Sequence, residues 1–236
     1  FEVLPSKLEV LDLTRNRFNN DKGILSCFNG ISALKSLDLS DNQLTGSGLK
    51  VLSSRLKKLE NLHLSANQCN DSIFSSITGF SSLKSLDLSY NEVTGSGSFY
   101  ASMRLFPSNM LNFEKHHAGL KVLSSRLQKL ENLHLSGNQC NDSIFSSITG
   151  FSSLKSLDLS DNQVTGSGLK VLSSRLKRLE NLDLSGNQCN DSIFSSLSGF
   201  SSLKYLNLSK NQLTGSSTGI NSKLHSLKKI EDFIST

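Results

Sequence analysis

The sequence predicts an α/β solenoid whose short strands stack into a parallel concave sheet, with an irregular or short-helical convex side. Three observations carry this. The pattern L-x-x-L-x-L-x-x-N begins at Leu8, Leu34, Leu59, Leu83, Leu130, Leu154, Leu179 and Leu203, and closes on Asn16, Asn42, Asn67, Asn91, Asn138, Asn162, Asn187 and Asn211. Its starts are 26, 25, 24, 47, 24, 25 and 24 residues apart, one period with a single overlong gap. Between signatures a second set of apolar residues recurs at matching places, so each period closes on itself as a coil.

Each strand follows from its signature. The two leucines that flank one residue, such as Leu37 and Leu39, point to one side of a short strand, and Asp38 points to the other. A single coil offers such leucines nothing to pack against. Stacked coils bury them as one continuous core and pair the strands in parallel, the architecture of a leucine-rich-repeat solenoid. The Asn that closes each signature is expected to end the strand and to bond loop backbone that would otherwise be buried unpaired.

The return half of each coil comes next. Leu44, then Leu49, Leu52 and Leu56, supply inward apolar positions, and Gly46 permits a tight turn. Related words recur at Gln163-Val164-Thr165-Gly166 and Gln212-Leu213-Thr214-Gly215. Two coil types alternate, one carrying Leu-Lys-Ser-Leu-Asp-Leu-Ser from Leu34 and the other Leu-Glu-Asn-Leu-His-Leu-Ser from Leu59. The second signature position consequently alternates in charge: Glu9, Lys35, Glu60, Lys84, Glu131, Lys155, Glu180 and Lys204. With neighbouring strands about 4.8 Å apart, each charge meets opposite neighbours, and a slip of one coil sets like against like. This reads as a register-setting ladder, with a ligand-facing charge row as the alternative.

One domain spans 1–236, with core repeats at 8–215. The long gap places an insertion at 98–119, containing Phe99, Tyr100, Phe106, Phe113, His116 and His117. It reads equally as a recognition loop or as retained noncoding sequence, since excision restores a normal coil. The segment 216–236 reads as a degenerate repeat or a helix bearing Leu224, Leu227 and Ile230.

The exposed positions beside the buried leucines form the expected binding surface. Its central column is Asp12, Asp38, His63, Asp87, His134, Asp158, Asp183 and Asn207. A column of Thr14 and seven serines lies beside it, followed by Arg15, Asp41, Ala66, Tyr90, Gly137, Asp161, Gly186 and Lys210. Acidic and hydroxyl groups suit a basic peptide, a protein or a polar glycan. Aromatic residues dominate contact energies in interfaces, so Tyr90 and Tyr205 join Asp38, His63, Asp87, His134, Asp158 and Asp183 as candidate contacts. His134 is expected to meet Asp87 or Asp158. Small polar side chains that merely solvate the inner surface are the competing explanation for any one of these positions.

No catalytic residues are assigned, because an Asp-His-Ser grouping generated by repetition lacks a substrate pocket and oriented oxyanion donors. No metal or cofactor is expected, since the two column histidines form no compact ligand set. The formal charge of +5 comes from dispersed basic residues, and no nucleic-acid motif accompanies it. No apolar run approaches the roughly 20 residues that cross a bilayer, so direct membrane insertion is not expected. Cys69, Cys140 and Cys189 share the inward position of Leu44 in coils two apart, about 10 Å from the strand spacing. That is too far for disulfides. Cys27 has no evident partner. Four N-x-S words mark Asn70, Asn141, Asn190 and Asn207 as glycan acceptors, with chance recurrence in an Asn- and Ser-rich repeat as the alternative.

The words from Leu34 to Asn42 and Gln43-Leu44-Thr45-Gly46, recurring through Gly215, resemble plant leucine-rich-repeat ectodomains, most closely those of receptor-like proteins. The resemblance covers roughly 8–215. It implies scaffold roles for Leu37, Leu39, Asn42, Leu44 and Gly46. It also implies noncatalytic recognition of a peptide, protein or glycan at the extracellular side of the plasma membrane, with a membrane co-receptor, in defence or developmental signalling. The chain departs from that family in having Gly48-Leu49 where Ile-Pro is usual. It also lacks a secretion segment, cysteine-bearing caps and a span, which fits an internal fragment. The alternative is a secreted or intracellular interaction scaffold or enzyme inhibitor without receptor signalling.

Overall fold

In the computed structural model, residues 5–19, 28, 30–95, 119–215 and 229–231 are described. Residues 98–118 of the insertion at 98–119, and Cys27, lie outside them. Every signature folds as a three-residue strand: β1 Val10–Asp12, β2 Ser36–Asp38, β3 Asn61–His63, β4 Ser85–Asp87, β5 Asn132–His134, β6 Ser156–Asp158, β7 Asn181–Asp183 and β8 Tyr205–Asn207. A ninth, β9 Lys229–Glu231, extends the sheet where a degenerate repeat or a helix was expected. Its Ile230 takes the register position of the core leucines, opposite Leu206.

The nine strands form one parallel sheet in sequence order. Strands β4 and β5 pair directly, Leu86 opposite Leu133, although the insertion separates them in sequence. The insertion is tolerated because it leaves this ladder untouched.

The return segments alternate as the coil types do. One type carries a helix of about two turns: α1 Leu49–Arg55, α3 Gly119–Arg126 and α5 Leu169–Arg175. The other carries a single turn: α2 Ile73–Ser76, α4 Ser143–Ser147 and α6 Phe194–Leu197, the last preceded by a 3-10 turn at Asp191–Ile193. In α1, Leu49 and Leu52 face inward while Lys50, Val51, Ser54 and Arg55 face solvent, the pattern of a helix with one buried stripe. Between sheet and helices runs a single core in which Leu62, Leu86, Leu133, Phe145, Leu182 and their equivalents are fully buried. Each such side chain contributes about 1.5–3 kcal/mol of burial free energy.

Three polar devices join the coils. The signature asparagines from Asn42 to Asn187 are buried, Asn211 partly so, and these bond in both directions, whereas Asn16 of the first coil is exposed and bonds only its own coil. Asn138 Nδ2 donates to Leu135 O and Ser136 O of its own coil and to Leu88 O of the preceding one. Its Oδ1 accepts from the N–H of Val93, also in the preceding coil. Asn42, Asn67, Asn91, Asn162, Asn187 and Asn211 repeat this arrangement. A second device is a carboxylate clasp. Asp71 accepts from Thr94 N, Thr94 Oγ1 and Gly95 N of the next coil, and Asp142 and Asp191 do the same for Thr165-Gly166 and Thr214-Gly215.

The third device is a buried hydroxyl. Ser53 Oγ donates to Ser76 O across the α1–α2 contact. Two of the turn glycines are also sterically required. Gly46 and Gly95 have φ of +89° and +70°, and a Cβ on them would lie 2.5 and 2.3 Å from the Cδ1 of Ile73 and Ile144.

Candidate functional site

The sheet geometry sets the central column in a line, one side chain per strand. Asp38 stands opposite His63, His63 opposite Asp87, Asp87 opposite His134, His134 opposite Asp158, and Asp158 opposite Asp183. The acidic members divide their two oxygens. Oδ1 turns back to accept the N–H two residues on: Thr14 for Asp12, Ser40 for Asp38, Ser89 for Asp87, Ser160 for Asp158 and Ser185 for Asp183. This turn-forming bond explains why Asp precedes a hydroxyl residue by two positions. Each Asp is thus partly structural.

The second oxygens reach across strands. Asp87 Oδ2 lies 3.9 Å from His63 Nδ1, and Asp158 Oδ2 lies 3.9 Å from His134 Nδ1, both ion-pair distances. Asp183 Oδ2 accepts from Asn207 Nδ2 at 3.0 Å. Of the two partners expected for His134, Asp158 is the one in ion-pair range, while Asp87 turns to His63. The carboxylate of Asp87 raises the pKa of His63 above its ordinary value, against the opposing effect of burial, with Asp38 adding to the rise. His134 is raised in the same way by Asp158 and then by Asp87. Burial pushes Asp87 and Asp158 upward, but His63 and Ser89 at the first, and His134 and Ser160 at the second, outweigh it and hold both below the usual carboxylate value.

The third column adopts left-handed backbone throughout: Arg15, Asp41, Ala66, Tyr90, Asp161 and Lys210 have φ of 51–54°, and Gly137 and Gly186 fall in the same region. Left-handed backbone at non-glycine residues costs free energy. Tyr90 bears it at the middle of the face with 61% of its surface exposed. Its ring lies over Gly137, where a Cβ would come within 2.5 Å of the ring carbon Cδ1. Gly137 therefore decides the pose of Tyr90, a relation between successive coils that the sequence signalled only as a Tyr and a Gly in one column.

Of the candidate contacts, the structure brings together His63, Asp87, Tyr90, His134 and Asp158 on β3 to β6 and the turns that follow them. Asp38 and Asp183 flank this group. Tyr205 stands apart. It is the first residue of β8 and belongs to a different column from Tyr90, four strands and about 19 Å away by strand spacing. The acceptor words also find places. Asn70, Asn141 and Asn190 each accept from the N–H of the Ser two residues on, at the turn entering the return segment. Asn207 lies on the concave face, bonded to Asp183 and Ser209. In the N-D-S word the Asp is the clasp residue, so coil stacking alone accounts for its recurrence.

The cysteines at 69, 140 and 189 are free and buried. Burial pushes Cys69 and Cys189 up to about 12 and raises Cys140 as well. Such thiols are protonated and unreactive. Among the described residues, no group of three or more His, Cys, Asp and Glu side chains could hold a metal ion. No helix among them is long and apolar enough to cross a membrane.

Leucine-rich-repeat profiles match four stretches of the chain: "Leucine Rich repeats (2 copies)" at 152–199, "Leucine Rich repeat" at 32–53 and 81–97, and "Leucine Rich Repeat" at 202–224. The chain is a leucine-rich-repeat solenoid. Solved structures of the same architecture include two internalins of Listeria monocytogenes. One, internalin F, is 21% identical with a TM-score of 0.62, and the match covers 98% of this chain and 62% of that one. The other, internalin C2, is 25% identical with a TM-score of 0.64, covering 94% and 79%. The chain thus spans under two thirds of the first of them. No curated protein sequence matches it.

These comparisons overturn the expected membership among plant receptor-like ectodomains, and with it the plant, membrane and defence attributes. Similar solved structures include bacterial internalins. The physical reason is that the words carrying the resemblance are those that any such coil requires. Leucines fill the core, Asn138 and its equivalents bond adjacent coils, and Gly46 meets Ile73 in left-handed backbone. They identify architecture rather than lineage. What stands is a leucine-rich-repeat scaffold, a typically noncatalytic class.

Proposed function

We propose that the concave patch of His63, Asp87, Tyr90, His134 and Asp158 binds a peptide or protein segment that presents a cationic side chain, and that the chain acts as an interaction scaffold without catalysis. The observation that carries this is Tyr90. Among the described residues it is the one large aromatic side chain that is exposed, and carboxylates stand on its own coil and two coils on. An aromatic face with nearby carboxylates suits a Lys or Arg side chain through cation–π and ionic contact. Asp38 and Asp183 extend the footprint along the column, and Tyr205 offers a separate contact toward the C-terminal end. A glycan ligand and a membrane co-receptor are further partners to be tried on the same face.

Selection of a random peptide library on the immobilised protein tests the reading. Enriched peptides are expected to carry Lys or Arg, and Tyr90→Ala is expected to weaken them at least about tenfold, the effect of losing an interface anchor. Enrichment that survives both Tyr90→Ala and Asp158→Asn unchanged places the binding elsewhere and sinks the proposal. For the glycan acceptors, expression in a glycosylating host is expected to modify Asn70, Asn141 and Asn190, with peptide mass mapping as the readout.

A further inference from the structure

The helical back carries a second surface with the opposite charge. The segments 49–59, 120–130 and 169–179 contain eleven Lys and Arg residues and no Asp or Glu. Lys50 and Arg55 on α1, Lys121 and Arg126 on α3, and Lys170 and Arg175 on α5 are all exposed, one basic pair on every second coil. Between each pair stands an exposed valine: Val51, Val122 and Val171, at 42%, 43% and 47%. The intervening coils present hydroxyls instead, at Ser75, Thr78, Ser146 and Thr149. These cations stand on the face away from the concave carboxylates, and the acids of the intervening return segments, Asp71, Asp142 and Asp191, are engaged in clasps. Neither the core nor the Asn ladder requires this, since no side chain of these three basic pairs takes part in either.

We propose that this basic ridge binds a linear anionic polysaccharide laid along the solenoid axis. Charge complementarity selects a polyanion, and three further features select among polyanions. The cations recur on every second coil, which favours a ligand with charges distributed along its length. The exposed valines suit the C–H faces of pyranose rings. Single-stranded nucleic acid needs aromatic platforms for its bases, and these three segments contain none. A bilayer surface calls for larger inserting side chains such as Trp, Phe or Leu, and the exposed apolar residue on each helix is Val. A flexible chain also follows a convex face that a plane touches only along its crest.

The test uses the full chain and a fluorescent oligogalacturonate, read by anisotropy at low and moderate salt, beside a sulfated oligosaccharide of equal length. Binding is expected to weaken steeply with salt. The triple variant Lys50→Ser, Lys121→Ser and Lys170→Ser should lose at least about tenfold in affinity. Unchanged far-ultraviolet circular dichroism of the triple variant separates lost contacts from lost fold. Preference between the carboxylated and the sulfated oligomer names the source of the anion. Absence of binding to both, affinity untouched by the triple variant, or tighter binding to single-stranded DNA or to phosphatidylserine vesicles overturns the proposal.

Discussion

Two sets of side chains in each coil's strand and turn obey different rules. The signature asparagines occupy their position in every coil, whereas the central column runs through Asp, His and Asn and the third column through Arg, Asp, Ala, Tyr, Gly and Lys. Beyond the first coil, the first set is held by four bonds per side chain, with both the coil itself and the one before it as partners. The acids of the second bond within their turn through one oxygen and leave the other to whatever stands on an adjacent strand. Uniformity marks what stacking demands, and variation marks what stacking leaves open.

The largest expected effect falls on the uniform set. Asn138→Ala leaves the buried N–H of Val93 without its partner and takes one of two donors from the carbonyls of Leu88 and Leu135, which keep Asn91 and Asn162. At about 1–3 kcal/mol for the stranded N–H and about 0.5–1.5 kcal/mol for each further bond lost, the loss is expected to reach about 2–4 kcal/mol, read as the shift in urea midpoint. A shift no larger than that of an exposed variant such as Ser146→Ala breaks the comparison at its root. The glycine turn comes next. Gly95→Ala adds a Cβ at positive φ against Ile144 and is expected to cost about 1–3 kcal/mol by the same readout. Restoring room with Gly95→Ala plus Ile144→Val recovers part of that cost and leaves the backbone strain.

Fold and site differ in how far the residues announced them. The coils were legible because the leucine period and the Asn position recur at almost constant spacing, so stacking follows from burial alone. The pairing of β4 with β5 across the insertion was legible for the same reason. The clasp was not, since Asp71 and Thr94 lie in different coils and each looks like ordinary turn chemistry until the coils are stacked. Nor was the divided use of Asp87, or the choice of Asp158 over Asp87 by His134, because such choices depend on side-chain direction within a fixed register. Tyr205 was grouped with Tyr90 on residue type, though the strand places them in different columns.

A smaller effect belongs to the variable set and to pH. His63 and His134 are raised from 6.5, so their contribution to stability is complete below that value and is lost as pH rises through the higher folded value. Asp87 and Asp158 are lowered from 3.8, so theirs is present above that value and is lost as pH falls through the lower folded one. Both contributions coexist from about pH 4 to about pH 6.5. Since these groups are partly exposed, the fall in stability from pH 6 to pH 8 is expected to be about 1 kcal/mol or less, and His63→Gln with His134→Gln should remove it. A wild-type slope that persists in the double variant assigns the dependence to other groups.

The smallest effect tests whether the Glu–Lys ladder is a continuous alternation or a set of closed pairs. Lys35, Lys84, Lys155 and Lys204 each bridge to the Glu of the coil before, at 2.9, 2.8, 2.8 and 2.6 Å. The opposite charge on the far side acts only at longer range, as Lys84 does on Glu131 in helping to lower it after Lys155. Exchanging one pair, Glu131→Lys with Lys155→Glu, keeps the bridge but sets Lys against Lys84 and Glu against Glu180. Closed pairs predict an unchanged urea midpoint. A continuous ladder predicts a small loss at low salt that disappears in high salt, because exposed charges beyond contact distance are screened. Since the pairs are solvent-exposed and in contact, the midpoint is expected to stay within error, which would make the alternation a guard on register rather than a source of stability.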